Sequence, residues 1–476
     1  MKGESDSVTE ANAIRTHGNR IRKIYQFGAV LIAVAMISSA LTLVAIGDGP
    51  SDFETVIEPG SMLESASFVI YTDDTTVYAK NGTTGAIAYS STDIGVVIQA
   101  ATDSIAAGLI FIKAGNYTQS TAIIISKPVS LVGEGPGATV IYCDTAIVML
   151  NLTDLRGPFP NAHYRVMVKD LSLFGAAELL GPGETVRVAT DCLYLHSVGY
   201  CLFENLNIGW ANGDGITIEE SLGNTFIRVY SAFNVNRGLD TKYFESQSTT
   251  NRFYSCSFRS NEDADGGVFL YGGIHSTQFI DCLFESNTGT AQVYMWGNYA
   301  TTFDGCHFET SEFGNDAHLY ITGGSDIVWV THCVFSAGTL DVADIQVAST
   351  AKNITVRESH FFVDRVNVRV MATGPIKLYD NIFGGTIQYD YGTLIAEGNI
   401  GYVTENYNST TVTGAVNTLT VNHGLVEAPT YVSITGNNTG IGDYWVTTIA
   451  ATTFTISFEN QPGASTWTFY WYAEVR

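Results

Sequence analysis

The chain has 476 residues, of which 23 are basic and 47 acidic, so its formal net charge at pH 7 is −24. This balance excludes a protein that holds nucleic acid through its phosphates, because such contacts need clustered lysine and arginine. Hydrophobic residues make up 45% of the chain and charged residues only 15%, which excludes a largely disordered polypeptide. Many aromatic residues beside few charges favour a β-rich fold.

The first feature along the chain is an uncharged apolar segment of 21 residues, from Phe27 to Gly47. A membrane-spanning helix needs about 20 such residues, so we predict a transmembrane signal anchor over 25–47, after a cytoplasmic tail over 1–24. A cleaved secretory signal, cut near Ala40, is the alternative, although signal peptides usually have a shorter apolar core and leader. Basic residues before the segment and acidic residues after it predict that the rest of the chain is extracellular.

Potential glycosylation sites agree with this location. A linker over 48–64 would join the anchor to the extracellular part. Six N-x-S/T sequons lie beyond it, and each can accept a glycan in a secreted protein. They begin at Asn81, Asn116, Asn151, Asn353, Asn408 and Asn437.

A repeat of about 25 residues dominates the middle of the chain. The segments 251–261, 277–287 and 301–311 superimpose without gaps, and each alternates apolar and polar residues as strands do. One short strand buries its apolar face only by stacking on the next copy, so we predict a parallel β-helix of about ten coils over 65–403. A leucine-rich repeat has a similar length, but its Leu and Asn positions are missing. The landmark apolar residues of the copies are Ile208, Phe233, Phe258, Phe284, Phe308, Phe335, Phe361 and Phe383.

Four of the seven cysteines precede a landmark phenylalanine by two residues. Equivalent positions of neighbouring coils lie about 4.8 Å apart, so we expect an inward column of free thiols. A metal site or a disulfide ladder is the alternative, but the spacing is not CxxC and the number of cysteines is odd. The four residues are Cys256, Cys282, Cys306 and Cys333.

The entry to the repeat has a characteristic pattern. An amphipathic helix over Asp93 to Ala107 would cap the first coil. After it, Gly108 to Tyr117 has the pattern G-x-x-x-x-K-x-G-x-Y, and LVGEG follows at 131–135. This entry resembles the N-terminal portion of the pectate lyase superfamily of right-handed β-helix proteins, which includes polysaccharide lyases, galacturonases and viral tailspikes. The resemblance implies an all-β, right-handed parallel β-helix, and it leaves the activity open because this fold hosts many functions.

The end of the chain has a different pattern. TENYNSTTVTG, over 404–414, is typical of a linker, and five alternating segments over 415–476 predict a small β-sandwich. Asn422 to Leu425 (NHGL) resembles C-terminal modules of phage fibres and surface proteins. The aromatic residues of the segment 415–476, among them Trp471, have two interpretations. They form a surface for sugar stacking or assembly, or they pack in the core. A tailspike-like homotrimer through this segment is a further expectation.

Two groups of residues are candidates for catalysis. Asp214 lies in NGDGI, which is similar to a catalytic Asp motif of galacturonases, but that family's other motifs are missing from the coils. Arg259, Glu285 and Glu309 each follow a landmark phenylalanine. Stacking would place two carboxylates beside a guanidinium, an arrangement that shifts the pKa of a carboxylate or attracts a cation. The alternative for this column is a solvated charge ladder.

Other residues are candidates for binding. Asp263 and Asp265, in NEDADG, have the character of a calcium loop, and a polar turn is the alternative. We expect exposed aromatic residues of the coils to offer stacking platforms for sugars, namely Tyr271, Tyr294, Trp296 and Tyr320. The sequence therefore predicts a membrane-anchored surface protein that binds glycans or builds a surface layer. The alternative function is a polysaccharide lyase or glycoside hydrolase.

Overall fold

The computed structural model describes residues 66–155, 165–178, 185–243, 248–309, 315–336, 340–362, 365–390, 393–402, 404–437 and 442–475. The predicted tail, anchor and linker over 1–64 lie outside these residues. Among the described residues, no helix is long and apolar enough to cross a membrane. The anchor therefore stays a prediction from the sequence.

A small antiparallel sheet and one helix begin the described part. The helix Ile94–Ser104 starts at Asp93, whose carboxylate accepts a hydrogen bond from the backbone nitrogen of Gly95 at 2.8 Å. The buried face of this helix joins the same hydrophobic core as the coils. The predicted capping helix is thus confirmed, and it covers apolar residues that an open coil end would expose. The antiparallel strands are Phe68–Thr72, Val77–Asn81 and Ile87–Ser91.

Behind this cap the chain winds into a parallel β-helix with two long sheets. We call the first the bent sheet, because a sharp bend divides its strands within most coils. The cap strands are hydrogen-bonded to it. Its parallel strands are Gly108–Ile112, Gly115–Gln119, Val129–Val132, Thr139–Cys143, Met167–Phe174, Leu202–Gly209, Thr225–Ala232, Arg252–Tyr254, Ser257–Arg259, Gln278–Ile280, Leu283–Glu285, Tyr299–Asp304, His307–Glu309, Asp326–Thr331, Val334–Ser336, Lys352–Arg357, His360–Phe361, Pro375–Tyr379, Ile382–Phe383 and Thr393–Glu397.

The bend has the same cause in successive coils. From the strand Met167–Phe174 onward, one residue at this point of the coil adopts a left-handed backbone conformation, with φ between 50° and 69°, which bends the strand. Glycine and short polar residues adopt this conformation more easily than bulky ones. The residues at the bend are Asp170, Asn205, Arg228, Ser255, Asp281, Gly305, His332, Glu358, Asp380 and Gly398.

The second sheet is formed by eleven parallel strands in the described part of the chain. Side chains alternate between the core and the outer face, as Val268 and Phe269 do. The stacking agrees with the predicted β-helix of about ten coils. The strands are Ile123–Ile125, Val148–Thr153, Asp191–His196, Ile216–Glu219, Leu239–Lys242, Gly266–Tyr271, Ala291–Trp296, Asn315–Thr322, Leu340–Ser349, Val366–Ala372 and Thr386–Tyr389.

Columns of identical side chains fill the core. The predicted landmark residues stack from Phe258 to Phe383, with neighbouring ring centroids 4.6 to 5.8 Å apart. The cysteine column beside them is buried and free, as predicted. One landmark is wrong, because Ser231 and not Phe233 pairs with Phe258. Phe233 instead stacks on Trp210 at 4.7 Å.

Buried asparagines hold the turns of consecutive coils in register. The Nδ2 of Asn234 donates to the Oδ1 of Asn261, and the Nδ2 of Asn261 donates to the Oδ1 of Asn287, each at 2.8 Å. The same oxygens also accept backbone N–H groups. Buried polar groups stabilise a fold when they are hydrogen-bonded in this way.

The C-terminal region is a sandwich of two three-stranded antiparallel sheets. All five predicted strands are confirmed, but the predicted linker over 404–414 is wrong. It forms the strand Glu405–Gly414, which pairs with Gly463–Glu474. A polar outer face gives this strand the composition of a loop. The other strands are Thr418–Asn422, Tyr431–Gly436, Tyr444–Ile449 and Thr453–Phe458.

Candidate functional site

The outer face of the second sheet carries two rows of outward side chains. Both rows are polar or charged in the early coils and aromatic in the middle coils. In strand register, the first row is Asn151, Tyr194, Thr217, Asp240, Phe269, Tyr294, Tyr320, Gln346, Arg369 and Gln388. The second row contains Thr153, His196, Glu219 and Lys242, and then Tyr271, Trp296 and Thr322.

Five aromatic side chains form a continuous surface in the middle coils. We call Phe269, Tyr271, Tyr294, Trp296 and Tyr320 the aromatic ladder. Ring centroids are 5.2 Å apart from Phe269 to Tyr294, 5.0 Å from Tyr294 to Tyr320, and 4.7 Å from Tyr271 to Trp296. The four predicted platform residues therefore lie together on one face. Phe269 was not predicted from the sequence, although it lies 25 residues before Tyr294, which in turn lies 26 residues before Tyr320.

Trp296 is the most exposed member of the ladder, with 42% of its surface accessible. Its indole lies against Gly323, which directly follows the next strand of the sheet, Asn315–Thr322. A Cβ atom at Gly323 would lie 1.2 Å from Cδ1 of Trp296, and Gly323 has a φ of +63°. Only glycine therefore allows the indole to lie in this position.

A buried network of charges adjoins the ladder. The carboxylate of Asp240, only 2% exposed, contacts Nη1 of Arg237 at 3.1 Å and Nζ of Lys242 at 3.3 Å. Nζ of Lys242 also lies 3.4 Å from Oδ2 of Asp214. Burial, together with the nearby charge of Asp214, raises the pKa of Asp240 to about 6. Asp214 is 4% exposed, so the structure places this predicted catalytic residue inside an ion network.

Arg237 connects the charge network to the ladder. Its guanidinium carbon lies 4.1 Å from the ring centroid of Phe269, a cation–π contact. The same guanidinium contacts Asp263 at 3.3 Å and Asp265 at 3.0 Å. Both carboxylates of the predicted calcium loop therefore face an arginine, and calcium binding by this loop stays a prediction. The described residues contain no group of three or more His, Cys, Asp or Glu that could hold a metal ion.

A shallow cavity lies at the polar end of the two rows. Its volume is about 270 Å³, and it is lined by Asn151, Thr153, Tyr194, His196 and Glu219. The hydroxyl of Tyr194 donates a hydrogen bond to Glu219. Burial and this bond raise the pKa of Tyr194, so the phenol keeps its proton. The cavity thus offers a proton donor, a carboxylate and an imidazole beside the ion network.

The second predicted catalytic group lies on the bent sheet. Arg259, Glu285 and Glu309 are in register there, as predicted. Arg259 pairs with Glu285 at 3.3 Å, and all three side chains are between 22% and 37% exposed. They share no sheet with Asp214, so the structure separates the predicted catalytic residues into two places. Their arrangement is that of a surface ion pair.

The predicted platform residue Trp471 lies in the core of the sandwich and is 6% exposed. It makes an edge contact with Phe454 at 5.5 Å between ring centroids. The stacking interpretation of Trp471 is therefore wrong and core packing, its alternative, is right, because Trp471 belongs to the inward set of its strand, with Trp467 and Phe469. Tyr470, on the opposite face of the same strand, is 52% exposed.

Comparison with known proteins supports the fold. The family model of the right-handed beta helix region matches residues 184–335, which include the ladder from Phe269 to Tyr320 and the charge network. No curated protein sequence matches the chain. The described coils and this match identify a right-handed parallel β-helix, the fold of the pectate lyase superfamily to which the sequence resemblance points.

Three solved structures illustrate the range of similar chains. ORF18 of Geobacillus virus E2 is 15% identical, with a TM-score of 0.47 over 81% of this chain and 83% of that one. The A-module of the Azotobacter vinelandii mannuronan C-5 epimerase AlgE4 is 14% identical, with a TM-score of 0.47 over 64% and 96%. The tailspike gp61 of Pseudomonas phage phi297 is 10% identical, with a TM-score of 0.46 over 80% and 91%. At these values none assigns an activity to this chain.

Proposed function

We propose that this protein binds a polysaccharide along the outer face of the second sheet, with the aromatic ladder as the contact surface. The observation that carries the proposal is the continuous run of five rings, spaced like the coils and partly exposed. Aromatic rings combine a large apolar face with a fixed geometry. The C–H faces of sugar rings pack on such surfaces, while their hydroxyl groups bond to polar residues around them.

The ladder is held in place before any ligand binds. Phe269 rests on the guanidinium of Arg237, which is itself fixed by three carboxylates, and Trp296 rests on Gly323. A contact surface that is already ordered loses little conformational entropy on binding. This ordering supports a role of the ladder in binding, as opposed to aromatic residues that only cover the outside of the sheet.

The charges favour an uncharged polysaccharide. The net charge of the chain is −24. The side chain of Asp265 is 49% exposed, and its negative charge acts on the ladder residue Tyr294, whose pKa it helps to raise. A uronate or sulfated chain would be repelled by these groups.

The test compares two tryptophans of nearly equal exposure on different sheets. Trp296→Ala removes a ladder residue that is 42% exposed. Trp329→Ala removes a tryptophan outside the ladder, which is on the bent sheet and 40% exposed. Migration of the full chain through native gels with mannan, xylan, mixed-linkage glucan or alginate gives its affinity for each. We expect Trp296→Ala to bind a neutral polysaccharide about tenfold more weakly, with Trp329→Ala unchanged. Equal effects of the two variants would contradict the proposal.

Cleavage of the bound polysaccharide is the second candidate function. It is favoured by the position of Glu219, Tyr194 and His196 around one cavity next to the ion network. A hydrolase needs an acid and a base or nucleophile, which are usually two carboxyl groups. The cavity supplies one carboxylate, Glu219, with Tyr194 and His196 as its other proton-transfer groups. Incubation of the same polysaccharides, followed by assays for new reducing ends and for unsaturated products, tests it with Glu219→Gln as the matched variant. Bound but uncut polysaccharide would leave binding as the function.

The place of action is also a proposal. The predicted anchor over 25–47 supports a surface location, with the β-helix outside the cell, where extracellular polysaccharide is present. Protease treatment of intact cells that express the full chain tests this. Degradation of the β-helix is expected, and its protection would contradict the location.

A further inference from the structure

A second polar and aromatic surface lies on the C-terminal sandwich. It is the outer face of the sheet that contains the strands Glu405–Gly414, Gly463–Glu474 and Tyr431–Gly436. We call it the tyrosine face. Its outward positions hold tyrosines, hydroxyl residues and two glutamates, without an aliphatic side chain. They are Glu405, Tyr407, Ser409, Thr411, Tyr431, Ser433, Thr435, Thr468, Tyr470, Tyr472 and Glu474.

The tyrosines of this face are in reach of solvent. Tyr407 is 77% exposed, Tyr470 52% and Tyr431 43%. The ring centroids of Tyr431 and Tyr472 are 6.3 Å apart. Tyrosine supplies a large, rigid contact area at a small entropy cost, and serine and threonine add adaptable hydrogen bonds. This composition is that of a recognition surface, and it differs from the apolar centre of a permanent protein interface.

Two carboxylates are held at one end of the tyrosine face, where Glu405 pairs with Glu474 in the strand register. The hydroxyl of Tyr472 donates to Oε2 of Glu405 at 2.8 Å and to Oε2 of Glu474 at 3.1 Å. The bond to Glu405 is the main reason why the pKa of Tyr472 rises to about 12. An ionised carboxylate has about four lone-pair sites, so each can also accept a hydrogen bond from an alcohol. The face thus combines ring surfaces with fixed acceptors for hydroxyl groups.

We propose that the tyrosine face is a second glycan-binding site, specific for an uncharged polysaccharide. The paired carboxylates complement the hydroxyl groups of a neutral sugar and repel a uronate or sulfate ester. A second copy of this chain is a poorer fit, because a two-fold contact places the same acidic patch against itself. This site requires no contribution from the aromatic ladder. Two sites on one chain would strengthen binding to a long polymer without changing the binding of a short oligosaccharide to either site.

The test uses the full chain with two tyrosines removed. The variant Tyr407→Ala/Tyr470→Ala should bind mannan, xylan or mixed-linkage glucan at least about tenfold more weakly in native gels, with alginate unbound by either protein. Tyr470→Phe keeps the ring and should bind nearly as the wild type does. Trp445→Ala is the matched control, since this tryptophan is 48% exposed on the other sheet of the sandwich.

Three results would overturn this second site. The first is a double variant that binds every neutral polysaccharide as tightly as the wild type does. If Trp296→Ala weakens the same binding, the ladder would be left as the binding surface. The second is preferential binding of alginate. The third is a wild-type oligomer that the double variant dissociates in light scattering, which would make the tyrosine face a contact between copies. Weaker binding by the double variant, with Trp296→Ala unchanged, would support this site and contradict the proposed role of the ladder.

Discussion

The outer faces of the two sheets differ, although both follow the same repeat of about 25 residues. On the bent sheet, outward charges lie in solvent, as in the pair of Arg259 with Glu285, whose side chains are 37% and 22% exposed. On the second sheet, Asp240 is 2% exposed and the outward surface of the middle coils is aromatic. The same stacking of coils therefore produces a solvated charge ladder on one side and a continuous aromatic surface on the other.

This difference shows which residues the fold itself requires. The inward columns and the asparagine ladders specify the coil, and their side chains are repeated from coil to coil. The outward positions are free of that requirement. An outward row that is aromatic, ordered and linked to buried charges therefore calls for a functional explanation, whereas exposed ion pairs of small energy do not.

The largest expected effect comes from breaking the buried network. Arg237→Ala leaves the carboxylates of Asp240, Asp263 and Asp265 without their shared guanidinium. We expect the free energy of unfolding to fall by about 3 kcal/mol, measured by urea unfolding with circular dichroism. Arg228→Ala, which removes a side chain 58% exposed from the bent sheet, is the control and should cost less than about 1 kcal/mol. Similar losses in the two variants would remove the distinction between the faces.

A smaller effect is expected at the glycine below Trp296. Gly323→Ala should displace the indole and weaken polysaccharide binding about as much as Trp296→Ala, with about 1–2 kcal/mol of backbone strain. Gly324→Ala is a close control, because Gly324 also has a positive φ of +83° but its Cβ would meet nothing nearer than 3.4 Å. Binding that is equal in the two variants would show that the position of Trp296 is unimportant.

The charge column of the bent sheet should respond weakly. Glu285→Gln removes one partner of Arg259, and we expect a loss of stability below about 1 kcal/mol, since both side chains contact solvent. Polysaccharide binding and any cleavage should be unchanged. If cleavage occurs and Glu285→Gln abolishes it, the predicted catalytic role of this column would be correct, and the site would move to the bent sheet.

The smallest effect is a pH dependence at the bend. His332 bonds to Asp304 at 2.7 Å and to Glu358 at 3.0 Å, and the bond to Asp304 is the main cause of its raised pKa. A histidine with a raised pKa contributes stability below its ordinary value of 6.5, and this contribution is lost as pH rises through the folded-state pKa. The same bond lowers the pKa of Asp304 below 3.8. The stabilising interaction is therefore lost at acid pH only when Asp304 itself takes up a proton. His332→Ala should therefore lower the melting temperature slightly near pH 5 and hardly at all near pH 8, and the reverse order would contradict this.

The core could be predicted from the sequence because its signal is repeated. The phenylalanine and cysteine columns return at nearly constant intervals, and most inward residues of the strands are apolar. The landmark of one less regular copy was wrong, since Phe233 is an outward neighbour of Trp210 and the small Ser231 occupies the inward position. Register is weakly specified where the landmark side chain is small.

The site was predicted only in part, for related reasons. The sequence predicted four exposed rings, those of Tyr271, Tyr294, Trp296 and Tyr320. That they form one surface with Phe269 depends on the strand register of the second sheet. Arg237 lies in a turn between two strands, where the repeat of about 25 residues does not fix which side chains meet. Its three ion pairs could therefore not be predicted from the sequence. The strand of Trp471 has aromatic residues on both faces, and alternation alone does not tell which face is buried.

The most direct test of the central claim is hydroxyl-radical footprinting of the full chain with and without a neutral polysaccharide that it binds. Oxidation at Trp296 and Trp329 is compared by mass spectrometry, because the two side chains are 42% and 40% exposed on different sheets. We expect bound polysaccharide to protect Trp296, together with Tyr271, and to leave Trp329 as reactive as before. Protection of Trp329 with Trp296 unchanged would place the ligand on the bent sheet and contradict binding by the aromatic ladder.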